Sequence, residues 1–454
     1  MRRSQIITLF FLLLFFLAAS IYVNAEFRDF FANRTMRIDY YHIADKNNEF
    51  ITIDKIYLQA PGKGTWAGNP EALIDSFDNG QYYIKVYDLK SGQLLYSKGF
   101  NSYCGEYVTT DPAARGIKRT YHETALIPFP LGNIKFTLES RDKKNQLHPI
   151  FEQVIDPNSI DIIKEPLGEG VKVFEMLNNG PSHYKVDLAI LAEGFTQAEE
   201  EKFKRELDIV TNVLFNQEPF KSYKEKFNVY GVFKPSLESG ADEPTHGIYR
   251  NTALGASFNA LGLYRYMLTE ENRSLRDIAA HVPYDAIIVM VNSKRYGGGG
   301  IYGTYCVFSL DEEWFPYLFL HEFGHSFAGL GDEYYASAVA YNEFYPKGVE
   351  PTEANITALL DPNSIKWQHL VTRGLPIPTP WEKDQYDRMT DVQKKIHLAK
   401  KEYQGKVGAF EGAGYSSVGL YRPMIDCMMF SRAIIPYCKV CEEAIVRMIL
   451  HYSK

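Results

Sequence analysis

The chain has 454 residues, 45% of them hydrophobic and 14% aromatic, which is enough apolar material for more than one core, so two domains are expected. Its 49 basic and 56 acidic side chains give a net charge of −7, which excludes the broad basic surface that nucleic acid needs. Five cysteines exclude a fold held together mainly by disulfides.

Arg2 and Arg3 precede an uncharged apolar run over residues 6–23, and Val23-Asn24-Ala25 offers a cut that leaves Glu26 first. This predicts a signal peptide over residues 1–25 and an exported protein in the periplasm, at the cell surface or secreted. Removing it takes away two arginines and no acid, so the net charge moves from −7 to −9. The competing reading is a retained anchor, because about 18 apolar residues just span a bilayer. No cysteine follows the run to carry a lipid, and no later segment is apolar enough to cross a membrane.

Residues 26–165 read as short strands between turns. Segments 50–58, 82–87 and 134–139 alternate apolar and polar residues, with turn signals at Pro61-Gly62, Asp78-Asn79-Gly80 and Ser91-Gly92. An antiparallel β-sandwich is expected. His122 beside Glu123 reads as an exposed polar pair, and the unit itself as a platform without catalytic residues. Asp156-Pro157-Asn158-Ser159 opens a polar connector that runs to Gly168 and Gly170.

Residues 166–454 form the expected catalytic domain. Segment 186–191 is a buried strand, and Thr196 with Glu199 makes a capping box for an amphipathic helix to about residue 215. A strand follows at 227–233, a helix at about 256–267 and a third strand at 286–291, so a mixed sheet with packed helices is expected. Gly297 to Gly300 lack the Gly-Lys-Ser of a phosphate loop and read as a rim loop. Residues 305–310 read as an exposed edge strand on which an extended peptide can lie.

The chemistry concentrates at His321-Glu322-Phe323-Gly324-His325. Histidines four apart on a helix share one face, so both imidazoles can reach one metal ion. Glu322 stands about 100° round from His321, where a carboxylate can hold water without becoming a ligand. Trp314, Phe315, Leu318, Phe319, Phe323 and Phe327 repeat at helical spacing, which places the histidines on a buried helix. Gly329 and Gly331 permit a left-handed reversal that ends the helix and carries the next side chains back. In the metzincin pattern the third ligand lies six residues past the second histidine; here that position is Gly331, so Asp332 is the preferred third ligand and Glu333 the reserve.

The run from His321 to Tyr335 resembles the active-site signature of the IgA-peptidase family of secreted zinc metallopeptidases, a branch similar to the metzincins. Residues 190–196, 287–300, 411–415 and Tyr421-Arg422-Pro423 are similar to that family as well, and the likeness covers roughly residues 170–454. The resemblance implies an α+β protein in which an amino-terminal β domain precedes a metzincin-like metallopeptidase domain with mixed sheet, active-site helix, methionine turn and carboxy-terminal helix.

Residues 335–415 read as an insertion rich in proline and tyrosine, with a charged helix at about 391–403. Cys427-Met428-Met429 resembles the turn that underlies the metal in metzincins, with Met429 in the methionine place. Cys427, Cys438 and Cys441 cluster while Cys104 and Cys306 stand apart; without a second CxxC, one disulfide from Cys427 to Cys438 or Cys441 is expected. Residues 441–452 read as a closing helix.

The expected function is zinc-dependent hydrolysis of peptide bonds. One zinc ion on His321, His325 and Asp332 activates water, and Glu322 takes its proton and passes it to the leaving amine. Protein substrates are expected, with host and bacterial glycoproteins as candidates. The rival reading is a surface adhesion protein whose zinc site is structural or degenerate; an intact Glu322 speaks against it.

Overall fold

The computed structural model describes residues 27–59, 65–336 and 345–453. The signal peptide expected over residues 1–25 and the Pro61-Gly62 turn lie outside the described residues. Strands β1 (Phe31–Ala44), β2 (Glu49–Leu58), β3 (Tyr82–Asp88), β4 (Leu94–Phe100), β5 (Arg119–Pro130), β6 (Ile134–Arg141) and β7 (Leu147–Ile155) make two antiparallel sheets, ordered β2-β1-β5 and β4-β3-β6-β7. Alternate side chains of each sheet meet in one core: Met36, Ile38, Ala125 and Ile127 from the first, Ile84, Val86, Phe136 and Leu138 from the second.

The outer face of the three-stranded sheet is partly buried, at Arg37 and Asp39. His122 is not part of an exposed pair: its ring sits beside Asp54 and accepts from the Asn272 side-chain N–H, while Glu123 points to the opposite face and pairs with His42 at 3.1 Å. Two successive strand residues face opposite ways, and here both faces are covered.

The remaining strands are β8 (Lys172–Leu177), β9 (Val186–Glu193), β10 (Phe227–Phe233), the two-residue pair β11 (Ser257–Phe258) and β12 (Met267–Leu268), β13 (Ala286–Val291), β14 (Gly298–Ile301), β15 (Tyr305–Ser309), β16 (Phe410–Ala413) and β17 (Ser416–Arg422). Six of them form a mixed sheet ordered β14-β15-β13-β9-β10-β8, parallel in the middle and antiparallel at both edges. Among the described residues the helices of eight or more residues are α1 (Glu200–Asn216), α2 (Asn272–Ala279), α3 (Phe315–Ala328), α4 (Asp391–Leu398) and α5 (Lys439–Tyr452). Leu188, Ile190, Ile288, Met290 and Phe308 face α1, α3 and α5; Ala189, Leu191, Ile287, Val289 and Val307 face α2 and the amino-terminal unit. The parallel strands are therefore apolar on both faces.

Three expectations are corrected here. Residues 256–267 are not a helix: Asn259 and Gly262 take left-handed backbone, and the apolar residues Ala256, Phe258 and Ala260 recur with strand period. Gly297 to Gly300 are not a rim loop, because Gly298 to Gly300 pair with β15 as the edge strand β14. Residues 305–310 are accordingly not an exposed edge; β15 lies between β13 and β14 and is buried throughout. Glycine serves spacing there: a β-carbon at Gly300 would come within 2.3 Å of the Glu322 carbonyl oxygen. The strand thus lies directly against α3.

Candidate metal centre

Helix α3 carries Pro316 in its first turn and no β-branched residue, and it ends where Gly329 adopts φ +60° and donates to the His325 carbonyl at 2.9 Å. Gly331 does not share that left-handed conformation; it is small because a β-carbon would come within 2.5 Å of Ile356. Its N–H and C=O are both held by the side-chain amide of Asn355, at 2.8 and 2.9 Å. The chain is thereby fixed in extended form, and successive side chains at 332 and 333 leave it in different directions.

Asp332 turns toward the histidines. His321 Nε2 and His325 Nε2 are 3.2 Å apart, and Asp332 Oδ1 lies 3.0 Å from the first and 3.2 Å from the second. Each histidine is oriented from behind. His321 Nδ1 donates to the Met428 carbonyl at 3.2 Å, and His325 Nδ1 donates to the Leu330 carbonyl at 2.6 Å. A carbonyl only accepts, so both Nδ1 atoms carry hydrogen and the Nε2 atoms face the common point. Asp332 Oδ2 accepts from the Tyr415 hydroxyl, which leaves Oδ1 for that same point.

The donor set fits a metal ion. Three ligand atoms about 2.0–2.1 Å from a tetrahedral zinc would stand ~3.3 Å from one another, close to the separations found. A proton can bridge two of these atoms at a time, whereas a cation at their centre meets all three. Asp332 Oδ1, buried, makes no well-directed hydrogen bond. Burial opposes charge on His325, but the Asp332 carboxylate beside it prevails and raises the imidazole to about 9. Asp332 is held far below the usual carboxylate range against its own burial, chiefly by His325.

Glu322 stands apart from this trio. It is half-buried beside β14, and among the described residues no group forms a hydrogen bond or ion pair with its carboxylate. Burial pushes its carboxyl upward, against the pull of His321 and His325. Met429 lies beneath α3, with its sulfur 3.1 Å from where a β-carbon of Gly324 would be, in the turn that Phe430 N–H closes on the Cys427 carbonyl.

Glu333 faces the other way, toward Cys427, Cys438 and Cys441. The expected disulfide is corrected: all five cysteines are free, and Cys427 Sγ and Cys441 Sγ are 3.8 Å apart, against about 2.05 Å for a bond. Sequence reasoning missed Asn355, Tyr415 and the carbonyls of Leu330 and Met428. Carbonyls leave no side-chain signal; Tyr415 lies in the 411–415 segment already noted for its resemblance.

The profile of the IgA Peptidase M64 family matches residues 174–400 and 388–449, and that of the Peptidase M64 N-terminus family matches residues 26–152. No curated protein matches the chain.

Proposed function

Because the chain belongs to the IgA Peptidase M64 family, and is thereby a peptidase, we propose that it is a zinc-dependent endopeptidase with His321, His325 and Asp332 as metal ligands and Glu322 as general base. The observation that carries this reading is the convergence of two Nε2 atoms and one carboxylate oxygen on a single point, each oriented by a partner on its far side. Zinc bound there supplies a polarised scissile carbonyl and a water whose pKa falls toward about 7.

The protein's own groups do the rest. Glu322, free of partners among the described residues, takes a proton from the attacking water and delivers it to the leaving nitrogen. The Leu330 and Met428 carbonyls keep the imidazoles turned inward, and Tyr415 holds Asp332 by its second oxygen. Met429 supports α3 from below. The amino-terminal unit, residues 26–165, is an accessory domain to the catalytic residues 166–454, and the protein is exported after loss of residues 1–25. Its substrates are proteins, with host and bacterial glycoproteins as candidates.

An adhesion protein with a structural metal is the second reading. A carboxylate left without partners beside the metal trio favours the peptidase, since a structural site has no use for it. The test is incubation of the purified mature chain with a panel of glycoproteins, before and after chelation and zinc return. Cleavage that stops on chelation and resumes with zinc is expected; cleavage indifferent to both overturns the zinc mechanism. Sequencing the amino terminus of the exported protein checks Glu26 as its first residue.

A further inference from the structure

A second group of ligand-type side chains lies next along the chain from the peptidase centre. Glu333, Cys427, Cys438 and Cys441 are all buried, and one ligand atom of each lies within 4.8 Å of the others. We propose that these four residues form a second, closed metal site that takes zinc as a structural ion.

The separations suit it. Cys427 Sγ and Cys441 Sγ are 3.8 Å apart, and Glu333 Oε1 is 3.6 Å from Cys438 Sγ and 3.2 Å from Cys441 Sγ. Around a tetrahedral zinc with sulfur at about 2.3 Å and oxygen at about 2.1 Å, sulfurs stand ~3.8 Å apart and sulfur and oxygen ~3.6 Å.

Backbone N–H groups surround the sulfurs as they do around thiolates. Cys427 Sγ accepts from Met429 at 3.5 Å and from Cys438 at 3.1 Å, and Cys438 Sγ accepts from Cys441 at 3.4 Å. Cys438 is the N-cap of α5, where the helix dipole favours negative charge.

Glu333 carries the independent sign. Its side chain is fully buried; Oε1 accepts from Asn355 at 3.0 Å, but among the described residues Oε2 has no hydrogen-bond partner. Arg422 is a buried positive charge in reach of its field, but its hydrogen bonds go to the Gly412 and Ile425 carbonyls, so the open oxygen among three thiols is costly unless a further cation joins them. Thiolates select soft or borderline ions, and four protein ligands leave no open position for substrate, so the site is structural. Its place gives it a task. Glu333 follows the proposed ligand Asp332, and Cys427 opens the turn whose Met428 carbonyl orients His321, so one ion ties the segment after α3, the methionine turn and α5 together.

Zinc content of the full mature chain, measured under reducing conditions, tests this. Two zinc ions per chain are expected in wild type. Cys441→Ser should keep one, and His325→Ala should keep the other. Cobalt exchanged into the His325→Ala protein should show sulfur-to-cobalt charge-transfer absorption, and cobalt in Cys441→Ser should not. Should a variant fail to fold, X-ray absorption at the zinc edge of the wild type decides: a sulfur shell near 2.3 Å supports the site, and nitrogen and oxygen alone overturn it. One zinc per chain that cysteine substitution does not disturb, or a Cys427–Cys441 disulfide in the non-reduced mass spectrum, also overturns it. Either result leaves the peptidase centre standing, whereas loss of the histidine-dependent ion alone would count against that centre and not against this one.

Discussion

Glu322, Asp332 and Glu333 are three carboxylates within twelve residues, and their surroundings separate their work. Among the described residues Glu322 has no hydrogen-bond or ion-pair partner, as the proposed proton transfer requires; replacing it by the isosteric glutamine should lower kcat by about 10²–10⁴-fold while the proposed zinc is retained. Steady-state kinetics with metal analysis checks this, and undiminished turnover refutes the role. Asp332 meets both histidines while Glu333 meets the cysteines. Asp332→Ala should therefore release the histidine-bound ion at lower chelator concentration, and Glu333→Ala should not. His325 sets the pH dependence. Its metal-free imidazole is raised to about 9, so at pH 7 it is protonated and a metal must displace that proton. Affinity should rise with pH up to about 9 and flatten above it. The raised imidazole stabilises the metal-free fold below about 6.5, its unfolded value, and that contribution is lost as pH rises through about 9. Calorimetry in buffers of different ionisation enthalpy should find proton release on zinc binding at pH 7; none would contradict this.

At the scale of elements, β14 and α3 form the working pair. A β-carbon on Gly300 would meet the Glu322 carbonyl oxygen at 2.3 Å and His325 Cβ at 2.9 Å, with no left-handed backbone involved. Gly300→Ala must push strand from helix, at a cost of about 1–3 kcal/mol, and move both Glu322 and His325. Gly168, with open space around it, should accept alanine within about 0.5 kcal/mol. Denaturant unfolding of the two variants checks the contrast; equal stabilities would show that the contact relaxes freely. The end of α3 depends on another element as well, since Asn79 of the amino-terminal unit donates to the Gly329 carbonyl at 3.1 Å.

Across the whole molecule, the two halves share buried polar contacts. Arg37 on β1 is buried, pairs with Asp39 at 2.7 Å and reaches Asp277 on α2 at 2.5 Å. Asp54 pairs with Arg273, and the Asn101 N–H donates to the Tyr302 carbonyl near β14 at 2.8 Å. Arg37→Ala leaves Asp39 buried without its countercharge and should cost about 3–5 kcal/mol. Chemical unfolding measures it, and a loss below about 1 kcal/mol would mean that the interface carries little of the stability. The amino-terminal unit therefore supports the carboxy-terminal half through its outer sheet face and the Asn79 turn.

Local chemistry is what the sequence expressed by itself. Histidines four apart on an apolar-patterned stretch specify a helix with two imidazoles on one face, and the capping box at Thr196 and Glu199 specifies the 3₁₀ turn that leads into α1, because these relations are closed within a few residues. Strands β3, β9, β10 and β13 were legible for the same reason. Tertiary structure decided the rest. The glycines of β14 looked like a loop because glycine carries no strand signal; their size is explained by α3 against Gly298 and Gly300 and by Tyr266 and Leu268 against Gly299. Residues 256–267 looked helical because composition does not reveal the left-handed turns at Asn259 and Gly262. The three cysteines suggested a disulfide because a chain alone cannot show that Glu333, about a hundred residues away, meets them in one buried cluster. Which neighbour of Gly331 faces the histidines was settled by the buried Asn355 amide, a constraint that exists only once the chain has folded back on itself.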